Sequence, residues 1–159
     1  MLFRSRWIED QAAQLQALGW RVAPETLRTA SSDASFRRYF RIDGLHEGHA
    51  SHLILMDAPP QREDIRPFIA IDQLLCSAGL HVPNIWRDDP EQGFLLCTDL
   101  GSNPYAQALA NRGHDPRTCE RLYTDATEAL VKLQAFSVAQ ARAPAVTALS
   151  PYDHGRLMQ

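Results

Sequence analysis

The 159-residue chain is 45% hydrophobic and 22% charged, with ten prolines and no biased tract, which excludes a disordered or fibrous polypeptide and fits one ordinary domain or two small lobes. A net charge of −3 excludes a general attraction to nucleic acid or to an anionic membrane, so any anion site has to be local. Cys76, Cys97 and Cys119 are odd in number, widely separated and without metal-ligand spacing, so they read as free buried thiols, not as a disulfide framework or a zinc site.

In chain order, residues 5–18 place Trp7, Ile8, Ala12, Leu15 and Leu18 at helical spacing ahead of Gly19, which predicts one amphipathic opening helix. The start meets acidic residues within ten positions and never reaches an apolar run, so it does not read as a secretion signal, and a cytoplasmic protein without a membrane span is expected. After Pro24, "TLRTAS" and "SFRRYFRI" read as two extended runs joined by "SDA". "SHLILMDA" is a third, ended by Pro59-Pro60. Ile65, Phe68, Ile69, Ile71, Leu74 and Leu75 then repeat at helical spacing, with Pro67 in the first turn and Gly79 at the end. "HVPNIWRDD", the turn "PEQG" and "FLLCTDLG" predict a hairpin in which Gly93 takes a positive φ.

Beyond Gly101 the pattern is helical only. Asn103 and Pro104 open "NPYAQALAN", and a long helix follows from Asp115, with Leu122, Ala126, Ala129, Leu130, Leu133 and Phe136 as its apolar stripe. Residues 138–159 read as loop. One short and one long helix offer little to cover that stripe, so the chain reads as the amino-terminal part of a longer protein, and self-association through the stripe is expected.

The expected fold class is α+β. A mostly antiparallel five-stranded sheet with one helix between its third and fourth strands, then a connector and helices, is the element order of a protein-kinase-like amino-terminal lobe. The stretches "SSDASFRRYFRI", "LILMDAPP", "EDIRPFIAIDQLLCSAGLHVPNIW" and "GFLLCTDLG" resemble the amino-terminal half of the aminoglycoside-phosphotransferase-like kinases. Among these, they are most similar to the cell-wall-recycling kinases that phosphorylate the anomeric hydroxyl of N-acetylmuramate and N-acetylglucosamine. The resemblance implies a nucleotide lobe over residues 1–101, an incomplete helical lobe over 102–159, ATP and Mg²⁺ as cofactors, and an amino sugar as substrate of the full-length protein. Nucleic acid and membrane are not expected as partners.

The same resemblance carries the site residues. The turn between the first two strands lies over the phosphates in such lobes, and small residues let its amides approach oxygens closely, which here implicates Ser32, Asp33, Ala34 and Ser35. Asp33 is an awkward neighbour for phosphate and reads equally as an Asx turn former. Alternation along the second strand places Phe36, Arg38, Phe40 and Ile42 on one face and Arg37, Tyr39 and Arg41 on the other. Arg38 can neutralise phosphate charge, or all three arginines can be solvated or paired with Asp43, Glu47 and Asp57. Met56 stands where these kinases carry a phosphate-holding lysine, and Phe68 falls near the position of that lysine's glutamate partner. Arg37 and Arg38 are therefore the substitute cations. Cys97, Thr98, Asp99 and Leu100 are implied as the backbone segment that bonds adenine, against the plainer reading of a strand-to-helix turn in which Asp99 is a cap. No HxDxxxxN-like loop occurs in the sequence. His114-Asp115 and Tyr152-Asp153-His154 lack the spacing, so no catalytic or metal-binding residue is assigned within the chain.

Overall fold

The computed structural model describes residues 2–32, 36–111 and 115–136. The chain divides into two compact units, Met1–Arg66 with Pro83–Gly101, and Pro67–Val82 with Ser102–Gln159.

The first unit holds an antiparallel sheet of five strands: β1 (Trp20–Ser32), β2 (Arg38–His46), β3 (His49–Asp57), β4 (Ile85–Asp89) and β5 (Phe94–Thr98). The spatial order is β1-β2-β3-β5-β4, so β3 is central and the meander of the first three strands is extended by the β4–β5 hairpin. β2 and β3 pair without slippage from Arg38↔Asp57 to His46↔His49, closed by Glu47 and Gly48, whose φ values of 51° and 84° suit a two-residue hairpin turn.

Two boundaries differ from the sequence reading, each for a physical reason. β1 begins at Trp20 and runs through Pro24, which the pairing accommodates by slipping register between Ala23 and Arg28. A proline cannot donate to a ladder, and a bulge on an edge strand is where that loss costs least. The Thr26 hydroxyl bridges the gap, donating to the Ala23 carbonyl at 2.7 Å and accepting from the Asp43 amide at 2.9 Å. The opening helix is two pieces, α1 (Leu2–Asp10) and α2 (Ala12–Ala17), which meet at Gln11. Gln11 also accepts a bond from Arg87 of β4, so the break coincides with a tie to the sheet. Trp7, Ile8 and Leu15 are buried, whereas Ala12 and Leu18 are exposed.

The core lies between these two helices and one face of the sheet. Trp7, Ile8 and Leu15 pack with Trp20, Leu27, Ile42, Leu53, Leu55, Phe94 and Leu96. Each fully buried large side chain contributes about 1.5–3 kcal/mol before entropy is charged against it. Two polar ties add direction to this apolar contact: Trp7 Nε1 donates to Asp89, and Arg4 of α1 pairs with Asp57 at the end of β3 while lying over the Phe40 ring.

In the second unit, α3 (Arg66–Ser77) carries Pro67 in its first turn and is followed by Gly79 at φ 73°. α4 (Tyr105–Asn111) and α5 (Pro116–Ala135) follow. Asp115 caps α5, its carboxylate accepting the Thr118 amide and hydroxyl. Of the stripe on α5 only Leu122 is buried, and Leu130 and Leu133 are exposed. The thiols also differ from expectation: Cys97 is buried in the sheet, but Cys76 is exposed on α3 and Cys119 is intermediate. No described helix is long and apolar enough to cross a membrane.

Gly93 joins the hairpin to β3. Its carbonyl accepts the Ala58 amide at 2.9 Å, its φ is 73°, and a Cβ there would stand 1.8 Å from the Ala58 carbonyl oxygen. Gly93→Ala is therefore expected to cost about 3 kcal/mol or more, read as a drop in urea midpoint. A loss under about 1 kcal/mol would contradict this packing.

Candidate functional site

β3 organises the candidate site. At its end Asp57 stands opposite Arg38 on one side and Phe94 on the other. Four residues earlier, Leu53 stands opposite Ile42 and Thr98. Along the strand direction, the Ser32 and Arg38 ends of β1 and β2 and the start of the connector after β5 are thus separated by the run Leu53–Asp57, about 13 Å at 3.3 Å per residue.

The pairing also assigns faces. Arg38, Phe40 and Ile42 share the face of Leu53, Leu55 and Asp57, so the alternation read from the sequence holds. Tyr39, Arg41 and Asp43 share the opposite face with His52, Ile54 and Met56 and, through β5, with Leu95 and Cys97.

At the end of the sheet where β1 meets β2, Ser32 closes β1 and is paired with Arg38, whereas Asp33, Ala34 and Ser35, expected to complete a phosphate turn, lie outside the described residues. Arg37 pairs with Glu63 at 2.7 Å with its side chain 25% exposed, and Arg38 reaches Asp57 at 3.3 Å with its side chain 56% exposed. Of the two, Arg38 is held more loosely. Asp57 is buried and takes Arg4 more closely than Arg38. Arg62 lies over the Phe36 ring beside this cluster. Met56 is buried on the opposite face, and Phe68 lies in the first turn of α3.

At the connector end, β5 is paired on both sides through Cys97, and the Thr98 amide donates to the Asn84 carbonyl at 2.9 Å. Thr98 Oγ1 accepts from Trp86. Asp99 and Leu100 are the first residues past the ladder, and Leu100 is exposed. The Asp99 side chain does more than cap a turn. It accepts the Gly101 amide at 2.8 Å and a two-pronged bond from Arg41, Nε to Oδ2 at 2.5 Å and Nη2 to Oδ1 at 3.1 Å.

The charges around this pair shift its titration. Burial opposes the Asp99 charge, but hydrogen bonds from Arg41 and the Gly101 amide, with the Arg41 and His52 charges, outweigh it and leave the carboxyl below its usual range. Arg41 is raised in turn, chiefly by its bond to Asp99. On the same face, Asp43 is held low first by its bond from Arg28, with His52 assisting.

The sequence reading offered Asp43, Glu47 and Asp57 as partners for the three arginines of β2. Arg38 does take Asp57, but Arg41 takes Asp99 and Arg37 takes Glu63, while Asp43 goes to Arg28 and His52. The ties Arg41–Asp99 and Arg4–Asp57 span 58 and 53 residues of sequence, so only the strand order and the docking of α1 make them visible. Among the described residues no group of His, Cys, Asp and Glu is arranged to hold a metal.

This architecture is a protein-kinase-like amino-terminal lobe with helices of the part that follows. Residues 26–159 match the model of the phosphotransferase enzyme family (APH), and the chain belongs to that family. It is similar to the N-acetylmuramate/N-acetylglucosamine kinase of Pseudomonas putida, 42% identical over 153 residues that make up 95% of this chain and 40% of that relative. It is likewise similar to the protein of the same description from Pseudomonas aeruginosa, 45% identical over 84% of this chain and 37% of the relative. A third, from Neisseria meningitidis, is 32% identical over 70% of this chain and 31% of its own length. The chain therefore spans about two fifths of the length of the first two relatives.

Because the folded pKa of Asp99 is lowered, the stability it contributes is present above its unfolded value near 4 and is lost as pH falls through its folded value. Asp99→Asn should melt below the parent chain at neutral pH, and the gap should shrink as pH falls below about 4. A gap constant across that range would show that the carboxylate charge plays no part.

Proposed function

We propose that the chain is the nucleotide-gripping part of an ATP-dependent sugar kinase that phosphorylates the anomeric hydroxyl of N-acetylmuramate or N-acetylglucosamine in peptidoglycan recycling in the cytoplasm. The observation that supports the reading is the pairing along β3, which puts the Ser32 and Arg38 ends of β1 and β2 and the Thr98 end of β5 on one sheet, about 13 Å apart along the strand direction. The names of the relatives support the substrate class.

In this reading adenine meets the backbone of Asp99 and Leu100, because the Thr98 amide is already bonded and Cys97 is paired within the ladder. The triphosphate lies under the turn at Ser32–Ser35, with Arg38 at the start of β2 as its cation. Arg38 is favoured over Arg37 by its greater exposure and its longer ion-pair distance. ATP supplies the phosphoryl group and magnesium screens its charge, while the general base and magnesium ligands belong to the part of the relatives this chain does not span. The chain alone is expected to bind nucleotide without turnover. A second reading, self-association, is favoured by Tyr123, Leu130, Val131 and Leu133, all exposed on α5.

Titration calorimetry of the chain with ATP and magnesium should give saturable binding. Arg38→Ala should weaken it about ten-fold, the worth of one charge-assisted hydrogen bond, while leaving adenosine unaffected. Absence of any heat from ATP would remove the nucleotide reading, and an unchanged ATP affinity in Arg38→Ala would remove Arg38 from it.

A further inference from the structure

Arg41 is absent from the residues that family resemblance singles out, yet it makes the best-formed polar tie at the connector. Its Cα is in register with Ile54 of β3, and Ile54 with Cys97 of β5, so its side chain crosses β3 to reach a residue beyond the end of β5. The two strands it links are separated by two inter-strand spacings, on the order of 10 Å. The extended Arg41 side chain and the Asp99 carboxylate reaching toward it close that distance between them, and the guanidinium still presents a planar fork.

Asp99 receives that fork on both oxygens and also takes the Gly101 amide, so one carboxylate carries three hydrogen bonds. Its side chain is 6% exposed and that of Arg41 24%. The Gly101 bond closes a turn of three residues around Leu100, and Gly101 adopts φ 93° to complete it. With the carboxylate fixed at both ends, the Asp99 carbonyl and Leu100 amide have little freedom to rotate.

We infer that Arg41 and Asp99 are a positioning pair for base recognition: their bidentate bond, made across β3, holds the connector's backbone donor and acceptor in the orientation a nucleobase requires. This rests on the nucleotide reading and adds to it a specific consequence. Recognition of the base depends on a side chain of β2, while the phosphate cations at the far end of β3 act independently of it.

The test compares adenosine, MgATP and inorganic tripolyphosphate, each titrated into the chain and into Arg41→Met, Arg41→Lys and Asp99→Asn. In Arg41→Met, adenosine and ATP should weaken at least ten-fold while tripolyphosphate stays within two-fold. Arg41→Lys should recover only part of the loss, because an ammonium cannot supply the fork. Asp99→Asn keeps the acceptor for the Gly101 amide and so retains the turn. It should show the same selective loss to a smaller degree, which keeps the test decisive if Arg41→Met fails to fold. Equal weakening of all three ligands would overturn the inference in favour of a general structural role, as would adenosine affinity within two-fold of the parent in Asp99→Asn. No binding of any ligand by the parent chain would remove the nucleotide reading together with this one. Parental binding that the variants leave intact would remove this inference alone.

Discussion

The pairing of β3 with β5 is the constraint on which the rest of the first unit depends. Five successive partners, from Leu53↔Thr98 to Asp57↔Phe94, lock the hairpin that follows α3 onto the meander that precedes it. Ladder bonds leave no freedom to slip, because a shift of one residue would turn Leu53 and Leu55 out of the core and Ile54 into it. The Gly93–Ala58 contact seals one end of that register and the Asp99–Arg41 tie seals the other. Any ligand that spans the turn and the connector spans a distance set by this one strand pair.

The two faces of the sheet divide the labour. One is closed by α1 and α2 over a core of large apolar side chains, which supplies cohesion without specifying much geometry. The other carries directional contacts: Arg28 with Asp43, Asp43 with His52, Arg41 with Asp99. Exposed ion pairs of this kind add little to stability, and the Asp43 pairs belong to that class. Arg41–Asp99 differs because its carboxylate is nearly buried and triply bonded. The leading helices precede the region matched by the family model, yet Arg4 reaches Asp57 and Trp7 reaches Asp89, so they are integral to this sheet.

Much of this was legible in the sequence where one residue type has one physical meaning. Gly93 and the apolar run after it announced the hairpin, Pro67 and Gly79 bounded α3, and Asp115 before Pro116 announced the start of α5. The strand alternation sorted Arg38 from Arg41 correctly. What could not be read was any relation set by register between distant segments. Pro24 argued for a break, and only the bulge bridged by Thr26 shows how a strand passes through it. Arg41 received no site role from the sequence because its partner lies 58 residues away. The site's chemistry was legible only as wording shared with a family, since Met56 in place of lysine breaks the one motif that spacing could have carried.

The central claim is that one nucleotide engages both ends of the Leu53–Asp57 run. Amide hydrogen exchange of the chain with and without MgATP tests it most directly. The account predicts simultaneous protection of peptides covering residues 31–41 and 97–101, with no change in the groove at the opposite end of β2 and β3, lined by Trp20, Leu45 and Glu47. Protection confined to that groove, or to one of the two segments alone, would contradict it.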